Sequence, residues 1–222
     1  MARTAQQRST LSRVALGSDP VRRSIYIVGM VPAVWYFYAG INDRLGADPL
    51  NVLERALGLW ALRFLVASLA ITPLRRLGGP NLIRYRRAIG LLAFYYAALH
   101  LTTYMVLDQG LDWAAIWADI VKRPYITVGM LAFVVLVPLA VTSNGPSIRR
   151  LGARWNTLHR LVYVAAAAGA LHFIMLVKVW PLEPLIYLVL VAALLLFRFQ
   201  AYARKRWSTQ PETRRGRTRG AG

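Results

Sequence analysis

Runs of apolar residues, each long enough to cross a bilayer as a helix, alternate along this chain with short polar segments. Crossing the hydrocarbon core takes about 20 mostly apolar residues in helical form, because lipid offers no partner for an exposed backbone N–H or C=O. Six runs qualify, at about residues 24–41, 52–73, 88–107, 125–142, 158–177 and 182–200. Pro32 lies inside the first, which a membrane helix tolerates. The pattern predicts an all-α integral membrane bundle of six transmembrane helices. It divides the chain into a basic N-terminal tail (1–23), the six-helix domain (24–200) and a basic, disordered tail (201–222). The first 23 residues are polar and lack the apolar region and cleavage site of a signal peptide, so the first helix is expected to be retained.

Flanking charge tests the pattern independently. The N-terminal tail and the second-to-third, fourth-to-fifth and C-terminal segments carry 5, 5, 3 and 8 Lys+Arg, Arg75, Arg76, Arg86 and Arg87 among them. The alternate connections carry 1, 2 and 1 (Arg44; Lys122 and Arg123; Lys178) and hold Asp43, Asp48, Asp108, Asp112 and Asp119. Cytoplasmic loops collect Lys and Arg, so both termini are expected in the cytoplasm. A missed helix would break the alternation.

Composition narrows the chemistry. The chain is 57% apolar yet carries a formal charge of +19, and the two properties are segregated. The arginine blocks sit between apolar runs and form no continuous basic face, which excludes nucleic acid as the partner and leaves membrane lipid headgroups. There are no cysteines, so disulfides, iron–sulfur clusters and thiolate ligands are excluded. Any transition metal falls to imidazole, and the chain has three: His100, His159 and His172.

The topology converts those numbers into depths. His100 lies 13 residues past Arg87, and His172 lies 13 residues past His159. At about 1.5 Å per residue, each is roughly 20 Å from the basic end of its helix. The third and fifth helices run the same way, so His100 and His172 share a depth and are expected to supply the two axial ligands of a heme b. Ala165–Ala168, Gly169 and Ala170 leave room for a flat macrocycle, and Tyr96 and Tyr104 flank His100 at i−4 and i+4, where their rings would pack on it. Small residues are also the ordinary material of membrane helix packing, and an intramembrane histidine can serve as a proton relay. Two at one depth favour ligation.

His159 lies near the basic end of the fifth helix, and Arg86 and Arg87 occupy the place where a partner histidine would stand. It is expected to ligate a metal alone, to bind a propionate, or to be an interfacial residue. Arg63, a charge within the second helix, is a candidate to bind a cofactor's propionate, a phosphate or a quinone carbonyl, or else a snorkelling side chain.

Three stretches carry a family likeness: Arg86-Arg87-Ala88-Ile89-Gly90-Leu91 through His100 to Leu107-Asp108; Asp119-Ile120-Val121-Lys122-Arg123-Pro124-Tyr125-Ile126-Thr127-Val128-Gly129; and Arg149-Arg150-Leu151-Gly152 through Trp155 and Leu158-His159-Arg160-Leu161 to His172. From about residue 51 to 178 the chain resembles the MsrQ family, the heme-binding membrane subunits of bacterial protein-methionine-sulfoxide reductase systems, in the ferric reductase-like transmembrane superfamily. The resemblance implies a multi-pass bacterial inner-membrane protein with heme b and FMN. It implies electrons taken from the quinone pool or a cytoplasmic flavin reductase and delivered to a periplasmic molybdenum-containing catalytic subunit. His100, His159 and His172 fall on the family's histidine positions. The wider superfamily has two histidines on each of two helices, and this chain lacks the inner one on the third. The expectation is an electron-transfer subunit rather than the catalytic one, with Trp113 and Trp117 marking the partner's docking surface. The alternatives are a stand-alone ferric or quinone reductase and a heme-free transporter or scaffold.

Overall fold

The computed structural model describes residues 20–176 and 182–208, and these are helices joined by short turns. The helices are α1 (Pro20–Ile41), α2 (Pro49–Arg76), α3 (Arg86–Thr102), α4 (Trp113–Lys122), α5 (Pro124–Val141), α6 (Gly145–Leu151), α7 (Ala153–Leu158), α8 (Val162–Met175) and α9 (Leu182–Ser208). A 3₁₀ turn at Ile83–Tyr85 leads into α3, a π turn at Thr103–Asp108 extends it, and a 3₁₀ turn at His159–Leu161 joins α7 to α8. Among the described residues, 6 helical stretches are long and apolar enough to cross a membrane: α1, α2, Ile83–Asp108, α5, Ala153–Met175 and α9 as far as Gln200. These are the six expected spans, with ends displaced by a few residues. Most of the expected N-terminal tail, the end of the C-terminal one and Lys178 lie outside the described residues.

The starts of the helices follow from capping chemistry. The Asp48 carboxylate accepts from the Asn51 amide at 3.1 Å, and Pro49 opens α2 with its φ already helical. Asp112 caps α4 by accepting from the Ala114 and Ala115 amides, Asn144 caps α6, and Pro124 opens α5. The α6–α7 corner turns at Gly152, whose φ of +51° is a region that side chains disfavour.

α2 is the central helix, burying Leu57, Leu62, Leu65 and Leu69 along its length. It packs most extensively on α3, while α5 packs most extensively on α8 and α9 closes against α8. The core between these pairs is built from Leu62, Leu65, Val66, Leu69, Ala93, Leu136, Ala165, Ala166, Ala170 and Val191. Ile27, Val28, Val34, Val134 and Val189 are exposed on the outside, the surface a lipid-facing bundle presents. Arg198, grouped by sequence with the tail cations, instead donates to the Tyr163 hydroxyl at 2.9 Å, the Thr72 hydroxyl at 2.8 Å and the Leu69 carbonyl at 3.3 Å.

α1 is fastened by a side chain inserted into its own ladder. The fully buried Tyr96 hydroxyl donates to the Gly29 carbonyl at 2.7 Å and accepts from the Ala33 amide at 2.9 Å, standing between two groups that would otherwise pair with each other. A side chain at Gly29 would collide with Leu92, so glycine permits the approach. The expectation that Tyr96 packs on a porphyrin is therefore corrected: its ring lies with Trp60 and Phe64, and its hydroxyl is committed to α1. Tyr96→Phe is expected to destabilise the purified protein by about 1–3 kcal/mol, seen as an earlier thermal transition with unchanged optical properties at the site below.

α4 lies between two spans and is two-sided. Ile116 is buried, while Trp113, Trp117 and Val121, at i, i+4 and i+8, are exposed on the other face.

Candidate functional site: two facing imidazoles

Between α2, α3, α5 and α8 lies a cavity of about 500 Å³, within the roughly 300–1,000 Å³ range of cofactor pockets. Its lining is divided by polarity. Asn51, Glu54, Arg55, Tyr104, Asp108 and Arg123 surround one end, that of the acidic connections; Leu62, Leu65, Leu136 and Ala165 line the interior.

His100 on α3 and His172 on α8 face each other across this cavity, with ring centroids 6.2 Å apart and planes inclined at 68°. The structure brings these two residues together. Each ring is held in the same way. His100 Nδ1 donates to the Glu54 carbonyl on α2 at 2.9 Å, and His172 Nδ1 donates to the Tyr125 carbonyl on α5 at 2.7 Å. A carbonyl only accepts, so Nδ1 carries the proton in both, and the neutral imidazole leaves its lone pair on Nε2.

Glycine gives the rings access to those carbonyls. Gly58 follows Glu54 by one helical turn, and Gly129 follows Tyr125 by one turn. A Cβ at Gly58 would stand 3.2 Å from His100 Nδ1, and one at Gly129 only 2.8 Å from His172 Nδ1. The two most extensively packed helix pairs thus repeat one device: a carbonyl, a glycine one turn later, and a histidine from the neighbouring helix laid over the gap. Sequence reasoning missed both glycines and both carbonyls. A signal was present in glycines placed inside apolar spans, where they otherwise lower helix stability.

The two Nε2 atoms could hold a metal centre between them. Two metal–imidazole bonds of about 2 Å each, with about 1.2 Å more from each nitrogen to its ring centre, separate the centroids by about 6.4 Å. The observed 6.2 Å agrees. Among the described residues no cluster of 3 or more His, Cys, Asp or Glu is placed to hold a metal ion, so the two imidazoles would be the protein's own contribution to any metal centre here.

The remaining expected residues are placed elsewhere. The His159 ring is stacked on Trp155 at 3.8 Å, its Nε2 meets the Thr142 hydroxyl at 3.1 Å, and it does not line the cavity. Arg63 points from α2 toward α9: Nε donates to the Tyr187 hydroxyl at 3.0 Å, Nη2 lies 3.5 Å from Glu183, and the guanidinium sits over Trp60. Of the alanine run, Ala165, Ala166 and Ala170 all belong to the packed core, and Ala165 also lines the cavity with Gly169. Tyr104 does line the cavity, and its hydroxyl donates to Asp119 at 3.1 Å. Asp119 in turn pairs with Arg123 Nε at 3.1 Å, and Arg123 Nη1 donates to the Tyr125 hydroxyl at 3.4 Å. Sequence reasoning had not connected Arg55 or Arg123 with the site.

Six spans enclosing two facing imidazoles define a class, that of the ferric reductase-like membrane proteins. The family model described as "Ferric reductase like transmembrane component" matches residues 57–170, which hold most of α2, all of α3 to α7 and much of α8. Among relatives, the "Protein-methionine-sulfoxide reductase heme-binding subunit MsrQ" of Brucella anthropi is 62% identical over 183 residues, covering 82% of this chain and 83% of the relative. Proteins of the same name from Brucella ovis and Brucella canis are each 61% identical over 183 residues with the same coverage. The chain belongs to the MsrQ family of heme-binding subunits, within the ferric reductase-like transmembrane group. No solved structure matches it.

Proposed function

We propose that this protein is the heme-binding electron-transfer subunit of a methionine sulfoxide reductase system, with heme b held between His100 and His172. The observation that carries the reading is the pair of imidazoles with Nε2 free, 6.2 Å apart in a cavity of about 500 Å³. Bound heme supplies one-electron redox chemistry. His100 and His172 would hold the group through Nε2, and the Nδ1 bonds to the Glu54 and Tyr125 carbonyls keep those nitrogens available. Leu62, Leu65 and Leu136 keep water from the inner edge of the site. His159, tied to Thr142 and Trp155, stands outside this ligand pair.

The arginine alternation supports an inner-membrane orientation with both termini in the cytoplasm, which turns the polar end of the cavity toward the periplasm. The subunit then takes electrons from the quinone pool or a cytoplasmic flavin reductase and passes them to a periplasmic molybdenum-containing catalytic subunit. The Trp113–Trp117–Val121 face of α4 flanks that polar end and offers the catalytic subunit an apolar contact.

The test is turnover in liposomes that contain the protein and an excess of a quinol as electron donor, with either the catalytic subunit and methionine sulfoxide or a soluble ferric chelate as acceptor. Electrons are expected to flow to methionine sulfoxide only when the catalytic subunit is present, and Trp113→Ser/Trp117→Ser is expected to slow this while leaving heme content intact. Rapid reduction of the chelate with no response to the catalytic subunit would establish the rival, a stand-alone ferric reductase.

A further inference from the structure

The polarity of the cavity assigns a direction to what it holds. Every charged side chain lining it apart from the histidines belongs to one end: Glu54, Arg55, Asp108 and Arg123. The interior offers Leu62, Leu65, Phe133, Leu136 and Ala165, and no group that could meet a charge. A planar group with two carboxylates on one edge and hydrocarbon on the others fits this space in one sense only.

The cations at that end are prepared to receive an anion. Arg55 lines the cavity and makes no hydrogen bond or ion pair among the described residues, although Glu54 precedes it in sequence and Asp108 lines the same end. Asp108 accepts instead from the Gln109 side chain at 2.7 Å. Arg123 is the opposite case, a guanidinium fixed in place. Asp119 holds its Nε at 3.1 Å and is itself held by the Tyr104 hydroxyl, while Nη1 reaches the Tyr125 hydroxyl. Arginine presents five N–H groups in a planar fork, so those two contacts leave donors free. Glu54 and Asp108 offer a carboxylate edge no cation, which leaves the two arginines as the charged groups able to seat it.

We infer that Arg55 and Arg123 bind the two propionate carboxylates of the heme, with the Tyr104–Asp119 pair acting as the positioning element that aims Arg123. The inference rests on the ligand reading above, and its test separates the two. Full-length protein is stripped of heme and refilled with either heme or its dimethyl ester, which keeps the macrocycle and iron but neutralises both carboxylates. Release to excess apomyoglobin is then timed for wild type, Arg55→Gln, Arg123→Gln and the double variant.

Wild type is expected to release the ester on the order of ten-fold faster than heme, as befits the loss of a charge-assisted contact. In the double variant the two are expected to leave at the same rate, while the bis-imidazole absorption bands persist. A preference for heme that survives in the double variant, or a wild type that holds the ester equally well, overturns the inference and leaves the ligand pair standing. Failure of wild type to take up either compound overturns both. Arg55 is exposed and free of intramolecular partners, so Arg55→Gln alone decides the matter should the double variant not fold. Arg44→Gln, at the same end but outside the cavity, is the control expected to match wild type.

Discussion

Purified His172→Ala is expected to contain less than a tenth of the wild-type heme, and His100→Ala the same. On the proposed reading each substitution removes one of the two imidazole nitrogens that hold the heme. Disturbing only an outer-shell partner of a metal ligand already costs roughly 10–100-fold in affinity, so removal of the ligand sets a lower bound beyond that. The effect is expected to be symmetric, because the rings are held by equivalent bonds of 2.9 Å and 2.7 Å to backbone carbonyls. His159→Ala is the informative contrast. Its ring is occupied by Thr142 and Trp155, so heme in the cavity is expected to stay near the wild-type amount. Heme extracted and quantified by its pyridine hemochrome, per mole of protein, reads all three. A loss confined to His159→Ala would remove the ligand assignment.

The second large effect is expected at a residue with no functional group. Gly129→Ala would place a methyl 2.8 Å from His172 Nδ1 and 3.0 Å from Cε1, closer than carbon and ring atoms approach. The far side of the contact is a side chain, yet that ring is already bound to the Tyr125 carbonyl on the same helix as the intruding methyl. Relief therefore means breaking the bond that sets its tautomer. A loss of roughly 10–100-fold in heme affinity follows, without removal of either ligand. Gly58→Ala meets His100 at 3.2 Å, where a shift of a few tenths of an ångström suffices, so its effect is expected to be smaller in the same direction. Gly90→Ala, also within a span, meets nothing within 4 Å and should be neutral or stabilising by up to about 1 kcal/mol. Heme titration of the three apoproteins ranks them. Equal affinities would show that the glycines serve helix packing alone.

How much of this is legible in the sequence depends on where each signal lives. Span positions and the shared depth of His100 and His172 are one-dimensional: hydropathy sets the former, and residues counted at a constant rise set the latter. What the rings touch is not. Glu54 and Tyr125 contribute main-chain carbonyls, which leave no trace in residue identity, and Gly58 and Gly129 act by lacking a side chain. Tyr96 was misassigned because i−4 places it on the same broad face as His100, and only the position of α1 shows that its hydroxyl turns to Gly29 and Ala33. Arg63 posed the same difficulty at longer range, since Glu183 is 120 residues away and no local pattern pairs them. Arg123 counts in the sequence only as a cation of a connection, and Arg55 carries no signal at all, until the cavity connects them.

The most direct measurement is the near-infrared magnetic circular dichroism of the oxidised, full-length protein, beside the same spectrum for His172→Met. The charge-transfer band of low-spin ferric heme reports the identity of its two axial ligands. Wild type is expected to show the bis-imidazole band, and His172→Met to show a band displaced toward that of an imidazole–thioether pair. A high-spin or single-imidazole spectrum in wild type, or a bis-imidazole band that His172→Met leaves in place, would contradict a heme held between α3 and α8.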